Sequence, residues 1–425
     1  MTKRTLELIV AEGCNLKCAY CFEHFKTPTR MDFETAKAAI DHYMTDDDGY
    51  DEVLIDFMGG EPMIAFPLIK KVVAYVESKT WPKRYHFSMS TNGTLFKDAY
   101  KPWFVAHREV FTPMVSLDGT KLIHDMNRSN SYDRIIKNVD FLRENWPFQS
   151  LKMTVNHLAL PYLADGIFSI LALGFPIEVN LIHDDVWGTG ETLMIHRRIL
   201  EYELARLVDF YTEYPTLEAP RLVNLPIVNT LIPDRDPHKA WCGAGEAMVA
   251  VDNDGNRYPC HRFMPFSAGK AMSLDDYHNP EINRVVDSPC DACPMVAACP
   301  TCAAHNWEHT GSITDRTVHN CELLKLQMVA TAALHVNRLA LVFDGRSVDE
   351  INDEDLATMG QRLQAARHTF DVLADSPQAE LKPYITGEWP FGAGWETRTR
   401  WHERRDHTAP SETTDFIPLE VLAEA

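Results

Sequence analysis

Ala11-Glu12-Gly13-Cys14-Asn15-Leu16-Lys17-Cys18-Ala19-Tyr20-Cys21-Phe22 follows directly on the apolar run Leu6–Val10. The thiols are spaced Cys-x3-Cys-x2-Cys, and in that pattern they read as ligands of one centre. Thiolates are the usual ligands of an iron–sulfur cube, normally four to each [4Fe–4S] cluster. Cys14, Cys18 and Cys21 can hold three irons and leave the fourth open. Structural zinc is the alternative reading, but it wants four ligands, usually in two close pairs, and no fourth ligand lies nearby in the sequence.

Working outward, Met58-Gly59-Gly60-Glu61-Pro62 follows the apolar run Val53–Phe57. Ser90-Thr91-Asn92-Gly93 and Ser116-Leu117-Asp118-Gly119 end two further strand-like runs, and His124-Asp125-Met126-Asn127-Arg128 comes just after. Gly-Gly-Glu-Pro alone would read as an ordinary turn. Together with the Cys triad, the set resembles the radical S-adenosylmethionine (SAM) enzymes. The resemblance implies that SAM chelates the open iron and is reductively cleaved to a 5′-deoxyadenosyl radical, which abstracts a hydrogen atom. It also implies roles. Tyr20 stands where the family often has an aromatic that packs near the adenine. Gly59, Gly60 and Glu61 match the GGEP motif, whose backbone and carboxylate recognise the methionine amino group; glycine allows close approach to a ligand. Ser90, Asn92 and Ser116 fall where ribose and methionine lie. Arg128 is matched to the SAM carboxylate, which a guanidinium can grip through two hydrogen bonds; a surface arginine is the alternative.

A chain of 425 residues is expected to form two or more domains. A net charge of −20 argues against a nucleic-acid partner, which would favour a basic patch. The N-terminal residues lack the apolar segment and cleavage site of a signal peptide. No apolar run approaches a membrane span, so a cytoplasmic protein without membrane association is expected. Ten cysteines in such a chain read as metal or redox ligands rather than as a disulfide framework.

Strand-like runs at Leu6–Val10, Val53–Phe57, Tyr85–Ser90, Pro113–Leu117, Leu151–Asn156 and Ile177–Ile182 alternate with helical patterns around 33–44, 67–79, 97–107, 131–145 and 161–173. Leu200, Leu204, Leu207, Val208 and Tyr211 mark a longer helix. The alternation predicts an α/β fold with a parallel sheet. The resemblance makes it a partial (β/α)6, TIM-like radical SAM barrel over residues 1–213. The prolines of 214–240 suggest a bridge between domains. Residues 241–345 hold the other seven cysteines. Beyond them, 346–425 is expected to be a helical extension, Glu350 to Leu373, ending in a polar mobile tail past Gly387.

Cys242, Cys260, Cys290, Cys293, Cys299, Cys302 and Cys321 form the second signature. Asp252-Asn253-Asp254-Gly255-Asn256 predicts a tight hairpin turn just before Cys260. The order resembles the SPASM domain found in many peptide-modifying radical SAM enzymes. That resemblance implies two auxiliary [4Fe–4S] clusters, making three in all. Cys290, Cys293, Cys299 and Cys321 would hold the distal one, and Cys242, Cys260 and Cys302 the proximal one. Some relatives complete the proximal cluster with a further Cys; here Met248 stands in its place, and a thioether is a poor substitute for thiolate. The Cys299–Cys302 spacing is also one residue shorter than usual. Cys-x2-Cys pairs suit zinc ribbons as well.

A SPASM extension implies a ribosomally made precursor peptide as substrate. The expected outcome is a cross-link (C–C, C–O or C–S) or another side-chain or Cα change, with a flavodoxin or ferredoxin as electron donor. The runner-up is an anaerobic sulfatase-maturing enzyme, against which count Met248 and His261, the latter where that branch usually has Asp. His261 is a candidate acid/base, its ordinary pKa lying near neutrality, or else a structural histidine beside a cluster. The first strand starts near residue 5, so leader recognition is expected from the barrel, the bridge or a separate protein. A reading of another class is a non-catalytic iron–sulfur or zinc protein that binds a peptide.

Overall fold

The computed structural model describes residues 2–232, 241–282, 288, 290–343 and 353–374. Strand β1 (Lys3–Ala11) is paired on both sides, and Leu6, Leu8, Ile9 and Val10 are fully buried, as a strand covered on both faces requires. It pairs in parallel with β2 (Glu52–Gly59), β2 with β3 (Arg84–Thr91), and β3 with β4 (Phe111–Val115). β5 (Leu151–Val155) and β6 (Ile177–Leu181) form a parallel pair of their own. A bridge between Ser116 and Lys152, with Leu117 N–H donating to Lys152 O at 2.9 Å, joins that pair to β4. All six expected strands are therefore present, arranged as an open barrel in chain order.

The crossovers are helical: α1 (Phe33–Thr45), α2 (Phe66–Glu77), α3 (Lys101–His107), then α4 (Lys121–Asn127), α5 (Tyr132–Ile136) and α6 (Val139–Asn145), α7 (Leu163–Ala172) and α8 (Gly190–Glu213). The single helix expected over 131–145 is two, separated at Asn138, whose N–H closes a tight turn onto Ile135 O at 2.8 Å and whose side chain donates to Phe96 O at 3.2 Å. Phe57, Phe87 and Phe111 stack across β2–β4 at centroid distances of 5.9–6.1 Å, in the core between sheet and helices. Residues alternate faces along a strand, so Glu7 looks the other way from Leu6 and Leu8. In register across the sheet, Glu7 stands beside Asp56, Asp56 beside Ser88, and Ser88 beside Thr112. The barrel lumen thus has a polar belt.

The hairpin before Cys260 exists, with Gly255 at φ +86° and Asp252 Oδ1 accepting from the N–H groups of Asp254 and Asn256 at 2.9 Å. It does not stand apart. Its first strand, β7 (Met248–Val251), adds in parallel to the free edge of β1, and β8 (Arg257–Tyr258) pairs antiparallel to β7. Short helices α9 (Pro265–Ala268), α10 (Leu274–His278) and α11 (Ala303–Thr310) follow, then α12 (Cys321–Phe343) and α13 (Asp353–Ala374). Nor is the described part of the proline-rich bridge a loose linker. Pro220 and Pro226 each precede a 3-10 turn, and Leu222, Val223, Leu225 and Ile227 are buried. Pro233, Pro237, Glu350 and the tail past Gly387 lie outside the described residues. No helix among the described residues is long and apolar enough to cross a membrane.

Candidate functional site

The Cys14–Cys21 loop leaves the C-terminal end of β1, where α/β folds bind their ligands. Its stem packs directly on Gly59 and Gly60. Gly60 N–H donates to Ala11 O at 2.9 Å and Glu61 N–H to Gly13 O at 3.0 Å. A Cβ on Gly59, whose φ is +128°, would lie 2.0 Å from Ala11 O, and one on Gly60 2.4 Å from Glu12 O. The glycines are thus required by backbone packed on backbone.

Glu61 is fully buried, and its carboxylate is engaged: Met63 N–H at 2.9 Å, Thr91 Oγ1 at 2.7 Å and Asn92 N–H at 2.7 Å. Burial pushes its carboxyl up to about 7 against those three donors. In this geometry the side chain locks the ends of β2 and β3 together. Asn92, so held, donates to Asn15 Oδ1 at 2.9 Å and approaches Cys14 Sγ at 3.9 Å. Ser90 and Ser116 lie at neighbouring strand ends, where Lys152 Nζ reaches Ser90 Oγ at 3.3 Å.

Arg128 is no surface residue. Its Nε donates to Asp118 Oδ2 at 3.0 Å, with both side chains buried, and its guanidinium lies 5.3 Å from the Tyr20 ring centroid. Tyr20 OH donates to the same oxygen at 2.6 Å, while Asp118 Oδ1 accepts Thr154 N–H at 3.1 Å. Asp118 N–H in turn donates to His124 Nδ1 at 3.1 Å. Burial pushes the Cys18 thiol up to about 11, with Arg128 pulling it back and the neighbouring Cys21 and Cys14 adding to the rise. Tyr20, Arg128 and the first thiol set therefore meet around Asp118, which the sequence marked only as part of a strand-end motif.

The remaining cysteines fall into two groups. Burial raises the Cys260 thiol, and Cys302 and Cys242 raise it further, so these three lie within electrostatic reach of one another. A cavity of about 260 Å³ has Cys242 and Cys302 in its wall. A smaller one of about 50 Å³ is lined by Cys290, Cys293, Cys299 and Cys321 together. Every described cysteine is free. Sulfurs bound to one zinc at about 2.3 Å would stand about 3.8 Å apart. Among the described residues, the ligand atoms gathered within 4.8 Å are those of His305, Glu308 and His309, not of any cysteine set. The thiol sets are therefore more open than a zinc tetrahedron and fit a cluster whose thiolates sit on separate irons.

His261 follows the proximal set and is tied into the barrel. Glu7 accepts its N–H at 2.9 Å and faces its Nδ1 at 2.9 and 3.0 Å. Glu7, Asp56 and Lys152 escaped the sequence reading. The usable signal was a lone acid at the same position of two strands that are otherwise apolar.

Residues 8–166 match the family model described as the Radical SAM superfamily. An uncharacterized protein of Methanocaldococcus jannaschii is 31 % identical over 176 residues, 40 % of this chain and 59 % of that protein. The cysteine-type anaerobic sulfatase-maturating enzyme of Clostridium perfringens is 28 % identical over 129 residues, 28 % of this chain and 34 % of that enzyme. The chain thus spans less than two thirds of either relative's length. Native anSMEcpe with bound AdoMet and Kp18Cys peptide superposes with a TM-score of 0.62 at 18 % identity, covering 81 % of this chain and 100 % of that one. Streptococcus suis SuiB bound to precursor peptide SuiA gives 0.50 at 18 % identity, covering 75 % and 76 %. At such identities these two likenesses speak for the fold. Residues 8–166 thus form a domain that matches the Radical SAM superfamily, similar over part of its length to the cysteine-type anaerobic sulfatase-maturating enzymes.

Proposed function

We propose that this enzyme matures a ribosomally made peptide. The observation that carries the reading is the union of the two thiol-bearing regions around one lumen. β7 lies beside β1, so Cys260 and His261 come to Glu7 at the wall of the barrel whose C-terminal end bears Cys14, Cys18 and Cys21. Three [4Fe–4S] clusters would be held by Cys14, Cys18 and Cys21; by Cys242, Cys260 and Cys302; and by Cys290, Cys293, Cys299 and Cys321. With SAM, the first would supply a 5′-deoxyadenosyl radical that takes a hydrogen atom from the peptide; loss of a further electron to an auxiliary cluster and of a proton would then close a C–C, C–O or C–S cross-link or complete another side-chain or Cα change.

The chain's own residues position and shield. Asn92 holds the Cys14 loop, Tyr20 and Arg128 form the wall beside Cys18, and the Arg128 Nη pair is left to grip a carboxylate. His261, oriented by Glu7, is the group to hold or move a proton near Cys260. A low-potential donor such as flavodoxin or ferredoxin and a cytoplasmic setting belong to the same reading, as does a separate leader-binding protein.

The test is anaerobic reconstitution with the peptide encoded beside the gene. Reductant-dependent 5′-deoxyadenosine and a mass change in the peptide are expected, and both should vanish when Cys14, Cys18 and Cys21 are changed to Ala. Persistent 5′-deoxyadenosine in that variant would sink the assignment. The homology to the cysteine-type enzymes favours a second reading, sulfatase maturation. It predicts a hydrazide-trappable aldehyde on a sulfatase-derived Cys peptide and no change in the neighbouring precursor.

A further inference from the structure

α11 starts just after Cys302, its N-cap, and carries His305-Asn306-Trp307-Glu308-His309. Side chains three and four apart share a helix face, so His305, Glu308 and His309 form one group. Their ligand atoms lie within 4.8 Å of one another. The ring centroids of His305 and His309 are 4.0 Å apart, and the His319 ring comes in from the next loop, 5.2 Å from His305 and 6.3 Å from His309. Imidazoles on one zinc, with Zn–N of about 2.0–2.1 Å, stand roughly 5 Å apart centroid to centroid.

The tautomers are set as well. His309 Nδ1 pairs with its own helix's His305 O at 2.9 Å, and His319 Nε2 with His183 O at 2.5 Å. Each of these nitrogens donates, since a carbonyl only accepts, leaving His309 Nε2 and His319 Nδ1 with free lone pairs. Backbone partners of this kind orient metal-binding histidines. His305 is 1 % exposed and its Nε2 has no partner. Its Nδ1 accepts from Arg262 Nη2 at 3.1 Å, a nitrogen also 3.1 Å from Asp184 Oδ1 and 3.2 Å from Glu308 Oε2. That positively charged nitrogen therefore sits among three acceptors and marks a place suited to a cation.

We propose that His305, Glu308 and His309 bind a divalent transition metal, zinc foremost, with His319 turning in as fourth ligand and Arg262 moving aside onto Asp184. Two or three imidazoles and one carboxylate form a borderline donor set that suits zinc. The site uses none of the ten cysteines. Its role is a staple: it would tie the helix that follows Cys302 to the loop that leads into Cys321.

Anaerobically purified holoenzyme dialysed against zinc tests this, with metal counted by mass spectrometry and its shell read by zinc X-ray absorption. About one zinc per chain is expected, in a nitrogen/oxygen shell free of sulfur. His309→Ala and Glu308→Gln should each weaken its binding by about tenfold or more, with iron content unchanged. His309 is exposed, so its loss leaves the fold intact. No zinc bound, a sulfur-containing shell, or unchanged affinity in both variants would overturn the proposal.

Discussion

Glu7, in the middle of β1, grips His261 at both its backbone N–H and its imidazole Nδ1, each at 2.9 Å, across 254 residues of sequence. Glu7 is 2 % exposed, and this clasp seats the residue after Cys260 against the barrel wall. Removing one partner of a buried charged pair strands the other. Glu7→Ala should therefore cost about 3 kcal/mol in denaturant unfolding. Glu7→Gln, which still accepts a hydrogen bond, should cost clearly less. Equal losses would mean that the charge contributes nothing.

Asp56 adjoins Glu7 in register and accepts Ser88 Oγ at 2.7 Å. Burial pushes its carboxyl up from 3.8 to about 6, against the Ser88 hydrogen bond. A carboxyl raised on folding costs stability where it is ionised, and that cost fades as pH falls through the raised value. Asp56→Asn should thus stabilise the protein at pH 8 by up to about 3 kcal/mol, at 1.36 kcal/mol per unit. The gap should narrow as the pH is lowered through about 6. A gap that widens toward acid would refute the sign.

Gly59→Ala and Gly60→Ala test the packing of the thiol loop on β2. The clashing atoms are the carbonyls of Ala11 and Glu12, which are backbone and cannot swing aside. Each variant should lose the cluster expected at Cys14, Cys18 and Cys21, returning about four fewer irons on reconstitution than the unaltered chain. Full iron content would show that the loop stem yields.

The strands were legible because each is a short apolar run bounded by polar residues, and the thiol sets because Cys spacing is a local pattern. Less local features were hidden. β7 joins β1 through a pairing more than two hundred residues apart, which no period in the sequence records. Arg128 was matched to a ligand, yet its nearest partner is Asp118, ten residues back and buried with it. Glu61 stood out by its motif, but its donors come from Thr91 and Asn92 on another strand. The histidines of α11 drew no notice because their carboxylate and tautomer partners appear only once the helix is folded.

Asp118 and Arg128 support Tyr20 as a unit, so their contributions should not add. Asp118→Ala and Arg128→Ala should each cost about 3–5 kcal/mol, since each leaves a buried charge unpaired. The double variant should cost clearly less than the sum, because neither charge is then stranded. Additive losses, measured by denaturant unfolding of the reconstituted enzyme, would show that the two act independently.

Met248 tests whether the proximal thiol set leaves an iron for the substrate. It opens β7, and its side chain packs in the same apolar cluster as Cys260 and Cys302. A thiol placed there is the test of a fourth ligand for that group. Met248→Cys should preserve reductant-dependent cleavage of SAM, because Cys14, Cys18 and Cys21 lie on a separate loop. If an open iron takes a substrate thiolate, which a metal deprotonates on binding, the new ligand should block it and abolish peptide product. Spectroscopy on a background lacking the first cluster must first show that the new thiolate ligates. With that shown, product at the wild-type rate would mean that the proximal thiol set does not bind the substrate, which is then held elsewhere.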